Sequence, residues 1–308
     1  MTESARIEAR LGELPETLLW NLYQRATEAG RPDGVLTDPK AVALVERIGY
    51  PFRDRFGSGG LGQWQALRAR CFDLAVQRFL ASHPAGTVVA LGEGLETQFW
   101  RVDNGQVRWV TVDLPETIGL RRALLPEQSP RQRMIACSAL SADWLDELTG
   151  DLAGRATSPA GSEGGPAGDD GGRAAATADP AEVLLTAQGL LMYFQPAEVR
   201  RLVEACAARL PGSALVFDGV PRWFSDRTLA GTMRTRQGYQ APPMPWAVDK
   251  AELDRLRSLP GVAGLTELRL PRGRGAGFGA VYPVLNRIAA VRRLGVTGLP
   301  VMMLRFRG

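Results

Sequence analysis

Histidine is almost absent from this 308-residue chain, with His83 alone, and lysine is confined to Lys40 and Lys250. The net charge of +4 therefore rests on arginine. No His/Cys/Asp cluster at metal-ligand spacing occurs, which argues against a metal-assisted mechanism. Cys71, Cys137 and Cys206 form no C-x-x-C pair, and each sits among apolar residues. They read as small buried hydrophobes in a reducing compartment. No apolar run approaches the roughly 18 residues of a membrane span. The opening MTESARIEAR lacks the apolar stretch of a signal peptide. The arginines are scattered, so a nucleic-acid groove is disfavoured. The expectation is a soluble, cytoplasmic chain with no membrane or nucleic-acid partner, whose modest positive field favours an anionic small molecule.

What is present is alternation. Short apolar runs rich in Val, Leu and Ile occur at 87–92, 107–113, 132–138, 181–189 and 212–220. Such runs suit parallel strands buried on both faces. Helical patterns lie between them: LPETIGLRRALL, SADWLDEL and PAEVRRLVEACAARL. Later come a helix near Phe224 to Arg236, the helix DKAELDRLRSL, a strand at 265–270, a helix around Ala280 to Leu294 and a last strand at 300–306. This predicts a doubly wound α/β sheet of seven strands in the order 3-2-1-4-5-7-6. Residues 1–85 read as a helical lid over the sheet's carboxyl edge, and 86–308 as the ligand-binding domain. Within the latter, the Gly/Ala-rich stretch 151–180 has almost nothing to bury and reads as a disordered insertion.

The first strand runs into LGEGLETQFWR, where Gly92 and Gly94 supply a G-x-G turn. Thr97 stands where a dinucleotide enzyme has its third glycine. Ligands of such sheets bind where strand order reverses, which is this turn. About 20 residues on, the second strand ends in Asp113, placed to accept both hydroxyls of a ribose. Glu93 and Glu96 beside the turn argue against a diphosphate, because like charges repel. A cationic, phosphate-free adenosine ligand suits the turn better, and S-adenosylmethionine has that chemistry.

LGEGLETQFWR, VDLPE, TAQGLLMYF and TLLWNLYQRATEAGRPDGVLTDP together resemble the leucine carboxyl methyltransferase family, nearest its bacterial tetracenomycin-type polyketide O-methyltransferase branch. The resemblance runs from about Glu16 to Phe224. It implies a seven-stranded S-adenosylmethionine-dependent fold with a helical lid, S-adenosylhomocysteine as product, and a carboxylic acid as acceptor. It further implies that Arg68 holds the cofactor carboxylate. Gly92 and Gly94 let the backbone approach its methionine part, and Asp113 and Leu114 meet ribose and adenine. The family's Asp-Leu pair after the third strand corresponds here to Ser138-Ala139-Leu140, so adenine falls to backbone groups or to Ser138. Gln188 replaces a glutamate and keeps an acceptor for the ammonium, and Gln98 replaces an arginine of the first motif. Arg25 matches a basic residue of the lid and is expected to meet the cofactor or the acceptor.

The scarcity of bases bears on the reaction. A phenol with pKa near 10 needs a base, whereas a carboxylate with pKa near 4 is already ionised. His83 falls at the amino end of the first strand, away from the ligand edge. Tyr193 is the candidate to orient the acceptor, and Arg222 and Trp223 after the fifth strand are candidates to line its pocket. Asp33 and Asp38 read as turn and cap residues. Three alternatives stay open: the same fold acting on a phenol, amine or carbon, a cofactor-binding protein without turnover and, more distantly, a nicotinamide oxidoreductase.

Overall fold

The computed structural model describes residues 16–157, 182–235, 237–275 and 300–308. The helix expected around Ala280 to Leu294 lies outside them, as do residues 158–180 of the expected insertion. The described chain runs α1 (Glu16–Ala29), α2 (Pro39–Arg47), α3 (Phe52–Phe56), α4 (Gly62–Ser82), β1 (Thr87–Leu91), α5 (Gln98–Val102) and β2 (Arg108–Asp113). It continues through α6 (Pro115–Leu124), β3 (Gln132–Ala136), α7 (Asp143–Thr157), β4 (Val183–Ala187), α8 (Pro196–Arg209) and β5 (Ala214–Asp218). It closes with α9 (Arg222–Leu229), α10 (Lys250–Ser258), β6 (Val262–Leu268) and β7 (Val301–Phe306).

The sheet order is β3-β2-β1-β4-β5-β7-β6, as the alternation predicts. Strands β1 to β5 pair in parallel, and β7 runs antiparallel between β5 and β6. β1 and β4 are buried along their whole length, which is why they read as unbroken apolar runs. β6 is an edge strand with exposed positions and an irregularity between Val262 and Gly264. It begins three residues before the predicted Leu265, because Gly261-Val262-Ala263-Gly264 resembles a turn in sequence.

Each face of the sheet carries its own layer. On one, Cys71, Phe72, Ala75 and Val76 of α4 pack with Val88 and Ala90 of β1. On the other, Val199, Leu202, Val203 and Cys206 of α8 pack with Leu185, Leu215 and Phe217. Their i, i+3, i+4, i+7 spacing makes one apolar stripe on α8. A reciprocal Gln195/Glu198 capping box and Pro196 start that helix. α1, α2 and α3 form a third cluster with Leu95, Leu124, Leu125 and Tyr239, above the carboxyl ends of the strands. Of the helices within residues 1–85, α1 to α3 pack in this separate cluster, while α4 belongs to a sheet layer. α7 continues through Thr157, seven residues into the stretch read as an insertion. α9 ends at Leu229, earlier than predicted, with Gly231 at φ 67° closing its last turn.

Cys71 and Cys206 are buried, and burial pushes both thiols up to about 12, which keeps them unreactive; Cys137 is half-buried. His83 follows the last residue of α4, with its ring 4.9 Å from Phe79 and 2.9 Å from the Ser82 hydroxyl. Phe217 is fully buried in β5, its ring 5.8 Å from that of Trp246. Phe217→Ala should lower unfolding free energy by about 3–5 kcal/mol in urea titrations; a loss below about 1 kcal/mol would mean that the layer collapses into the space.

Candidate active site

β1 ends in a turn that needs glycine. Gly92 and Gly94 have φ of 59° and 55°, the left-handed region that side chains avoid. The turn is also tightly covered. A Cβ on Gly92 would lie 2.6 Å from Leu190, and one on Gly94 2.6 Å from Leu18. The Gly94 amide donates to one oxygen of Asp113 (2.7 Å), and the Leu114 amide to the other (2.8 Å). Asp113 is thereby fixed at the tip of β2. Burial raises its pKa and the two amides oppose that rise, leaving it above the usual carboxylate value.

Leu114 after β2 and Leu140 after the neighbouring β3 are large apolar side chains left 49% and 38% exposed. Between them in sequence, the Ala139 carbonyl accepts from Trp144 Nε1 (3.0 Å), and Ser138 Oγ accepts from the Leu140 amide (3.2 Å).

Thr97 explains the missing third glycine. It is fully buried, and its hydroxyl donates to Asp38 (2.6 Å) while accepting from Arg101 (2.9 Å). Arg101 also pairs with Asp38, Asp73 and Glu96, and Arg25 pairs with Asp38 and Glu96. Burial alone would raise the Glu96 pKa, but Arg25 and Arg101 win and bring it to about 2. Glu93 is separately paired with Arg121 (3.0 Å), whose Nη1 donates to the carbonyls of Gly94 and Glu96. Both glutamates are therefore neutralised by buried arginines. Simple repulsion of a diphosphate by Glu93 and Glu96, expected from sequence, does not hold.

Arg25 also departs from expectation. It is 3% exposed, and its third nitrogen donates to the Leu95 carbonyl (2.9 Å), so its guanidinium is taken up in tying α1 to the turn. Arg101 lies three residues after Gln98, on the same face of α5. Gln98 donates to Asp73 (3.1 Å) in that network.

At the ends of β4 and β5 two polar atoms lack partners. Gln188 Nε2 donates to Glu96 (3.0 Å), but its Oε1 is buried with none. Arg68 Nη1 donates to Asp218 (3.0 Å), but its Nε has none. Asp218, fully buried at the tip of β5, also accepts from the Gly189 amide (2.5 Å), so Arg68 sits close to Gly189. Asp218 escaped sequence reasoning, because FDGV reads only as the end of a strand.

Arg68 and Gly189 open onto a cavity of about 470 Å³. Its walls carry Trp20, Trp64, Tyr193, Trp223, Phe224 and Tyr239, with Met192, Met233 and Met244. Arg234 lines it as well and makes no ion pair among the described residues. Burial, with Tyr239 and Asp218 nearby, raises the Tyr193 phenol well above its usual value despite Arg68. Trp223 lines this cavity, but Arg222 does not. Its guanidinium turns to Asp249 (2.6 Å), which corrects the expectation of a substrate contact there.

A pattern for the family described as Leucine carboxyl methyltransferase matches residues 19–157. Tetracenomycin polyketide synthesis O-methyltransferase TcmP of Streptomyces glaucescens is 34% identical over 216 residues, covering 70% of this chain and 68% of the relative. The chain belongs to the leucine carboxyl methyltransferase family. It is an S-adenosylmethionine-dependent methyltransferase. S-adenosyl-L-methionine-dependent methyltransferase dpfgK of Gibberella zeae is 34% identical over 127 residues, 38% of this chain and 43% of that protein. Among solved structures, a SAM-dependent methyltransferase from Anabaena variabilis covers 79% of this chain and 87% of its own at 9% identity and TM-score 0.45. The fold assignment stands on the strand pairing itself.

The residues of this family member fit its methyl donor. An unpartnered acceptor on Gln188 and an unpartnered N–H on Arg68 match an ammonium and a carboxylate. The exposed Leu114 and Leu140 offer apolar surface to a purine, beside a carboxylate suited to a ribose. Among the described residues no His/Cys/Asp/Glu group is arranged to hold a metal ion, and no helix is long and apolar enough to cross a membrane.

Glu96 gives a pH test. Its folded pKa of about 2 lies below the ordinary 4.5, so its stabilisation is complete above 4.5 and is lost as pH falls toward 2. The stability difference between wild type and Glu96→Gln in urea should shrink across that window. A difference constant across it would show that the two arginines do not hold the charge.

Proposed function

We propose that this chain forms methyl esters on the carboxylate of a small aromatic natural-product acid, of the polyketide type. The observation that carries the reading is the lining of the 470 Å³ cavity: aromatic walls, an arginine free of ion pairs, and no carboxylate, histidine, lysine or cysteine among the described lining residues. A phenol acceptor entering this cavity finds no lining group suited to take its proton, since burial holds the Tyr193 phenol protonated. A carboxylic acid arrives ionised and needs no base. The names of the family and of the tetracenomycin relative agree with an oxygen acceptor.

When bound, S-adenosylmethionine supplies an electrophilic methyl group on a cationic sulfur. The chain's part is to bind and orient. Gly92 and Gly94 form the turn that receives the methionine portion, and Asp113 grips the ribose. Leu114 and Leu140 flank the adenine, with Ser138 and the Ala139 backbone at its edge. Gln188 Oε1 accepts from the ammonium, and Arg68 Nε donates to the carboxylate. Tyr193 donates its hydroxyl hydrogen to the acceptor and fixes its angle, and Trp223 stacks at the mouth. Arg234 attracts the acid. Helices α1 to α3 act as the lid and exclude water. Orientation and desolvation of this kind can supply as much as about 7–11 kcal/mol of barrier lowering.

Incubation with isotopically labelled S-adenosylmethionine and aromatic acids should give a labelled product that mild base hydrolyses to the acid and labelled methanol. A base-stable product would remove the ester assignment in favour of a phenol, amine or carbon acceptor. Asp113→Ala should weaken S-adenosylhomocysteine binding by about 1.5–3 kcal/mol in calorimetry through lost charge-assisted hydrogen bonds. Unchanged affinity would place the ribose elsewhere.

A further inference from the structure

One polar side chain of the acceptor cavity that the cofactor reading does not use differs from Thr17, Asn21, Arg234 and Thr235 in holding a buried atom without a partner. Gln65, on α4, is 5% exposed and lines the cavity, and its Oε1 is buried without a hydrogen-bond partner. It lies three residues before Arg68, so the two side chains rise from the same face of α4. Donors such as Thr17, Asn21 and Arg68 line the same cavity, yet none of them donates to this oxygen.

We propose that Gln65 is a specificity-determining residue that selects acceptors carrying a hydroxyl group as well as the carboxylate, the hydroxyl donating to Gln65 Oε1. The proposal rests on the reading that this cavity takes the acceptor. A buried acceptor without a partner costs free energy in the empty site, and a ligand donor relieves that cost. An analogue without the hydroxyl leaves the oxygen stranded and displaces whatever solvent had reached it. This asymmetry is what allows a polar site to reject a ligand lacking one hydroxyl far better than an apolar site rejects one lacking a methylene. The surrounding chemistry sharpens the selection. The Gln65 amide oxygen only accepts, so an ether or a methyl at the same place on the acceptor does not substitute for the hydroxyl.

Two probes of one skeleton test this, with the hydroxyl too far from the carboxylate to donate to it internally: 6-hydroxy-2-naphthoate and 2-naphthoate. Trp20, Trp64 and Trp223 line the cavity, so quenching of tryptophan fluorescence reads occupancy with S-adenosylhomocysteine present. Wild type should bind the hydroxy acid about tenfold or more tightly than the plain acid. Gln65→Met, of similar volume, should bring the ratio to near one. Gln65→Glu retains an acceptor and should keep the preference while binding both acids more weakly, because it adds a negative charge. Melting curves by circular dichroism check that each variant is folded. A wild-type ratio near one, a ratio that survives in Gln65→Met, or no quenching by either acid overturns the proposal. The product chemistry is read apart from the ratio. Preferential binding of the hydroxy acid followed by a base-stable ether would leave the selection standing and defeat ester formation. Equal binding of both acids followed by ester formation would do the reverse.

Discussion

Two guanidinium groups and three carboxylates, sealed between the first strand and the covering helices, hold this molecule's working end in shape. Arg25 and Arg101 bridge Asp38, Asp73 and Glu96, and the Thr97 hydroxyl joins them. Taking such charges out of water is expensive, and removing one partner from a buried pair typically costs about 3–5 kcal/mol, because the other is left stranded. The cluster therefore works as a unit. It fixes the glycine turn from below, seats α1 and α2 from above, and aims Gln188 through Glu96. A third glycine at position 97 would remove the hydroxyl that locks the unit.

The sheet could be read from sequence because its strands are buried on both faces. An unbroken run such as Val88 to Leu91 leaves little else to be, and the order of strands follows from alternation. The turn after β1 was legible for a similar reason: Gly92 and Gly94 are fixed by backbone geometry, and Asp113 by the end of β2 beside them. Long side chains were not legible. Arg25 and Arg222 occupy plausible positions, yet one turns inward to Asp38 and Glu96 and the other outward to Asp249. Where a guanidinium goes is decided by carboxylates distant in sequence. The same holds for Glu93 and Glu96, whose neutralising arginines come from α6, α1 and α5. The spacing of Arg101 three residues after Gln98 was a usable signal, whereas nothing local marked Asp218 or the orphaned oxygen of Gln65.

The two ligand regions differ in their physics. The turn side is dense with charge-assisted hydrogen bonds and tolerates little variation in shape. The acceptor side is a wall of indole, phenyl, phenol and thioether groups with few polar points. Aromatic and methionine side chains give broad, adaptable contact, so discrimination falls to the few places where a hydrogen bond is demanded. Such a division suits one invariant donor used with one particular acceptor.

The carboxylate of Glu96 has a last consequence. It accepts from Arg25 on a covering helix and from Gln188 at the tip of β4, so a single side chain belongs to both the roof and the floor. Whatever settles the roof more firmly also settles the amide beneath it. Thermodynamic reciprocity then governs the pair: any tightening that the acceptor confers on the nucleoside, the nucleoside must confer on the acceptor by the same factor.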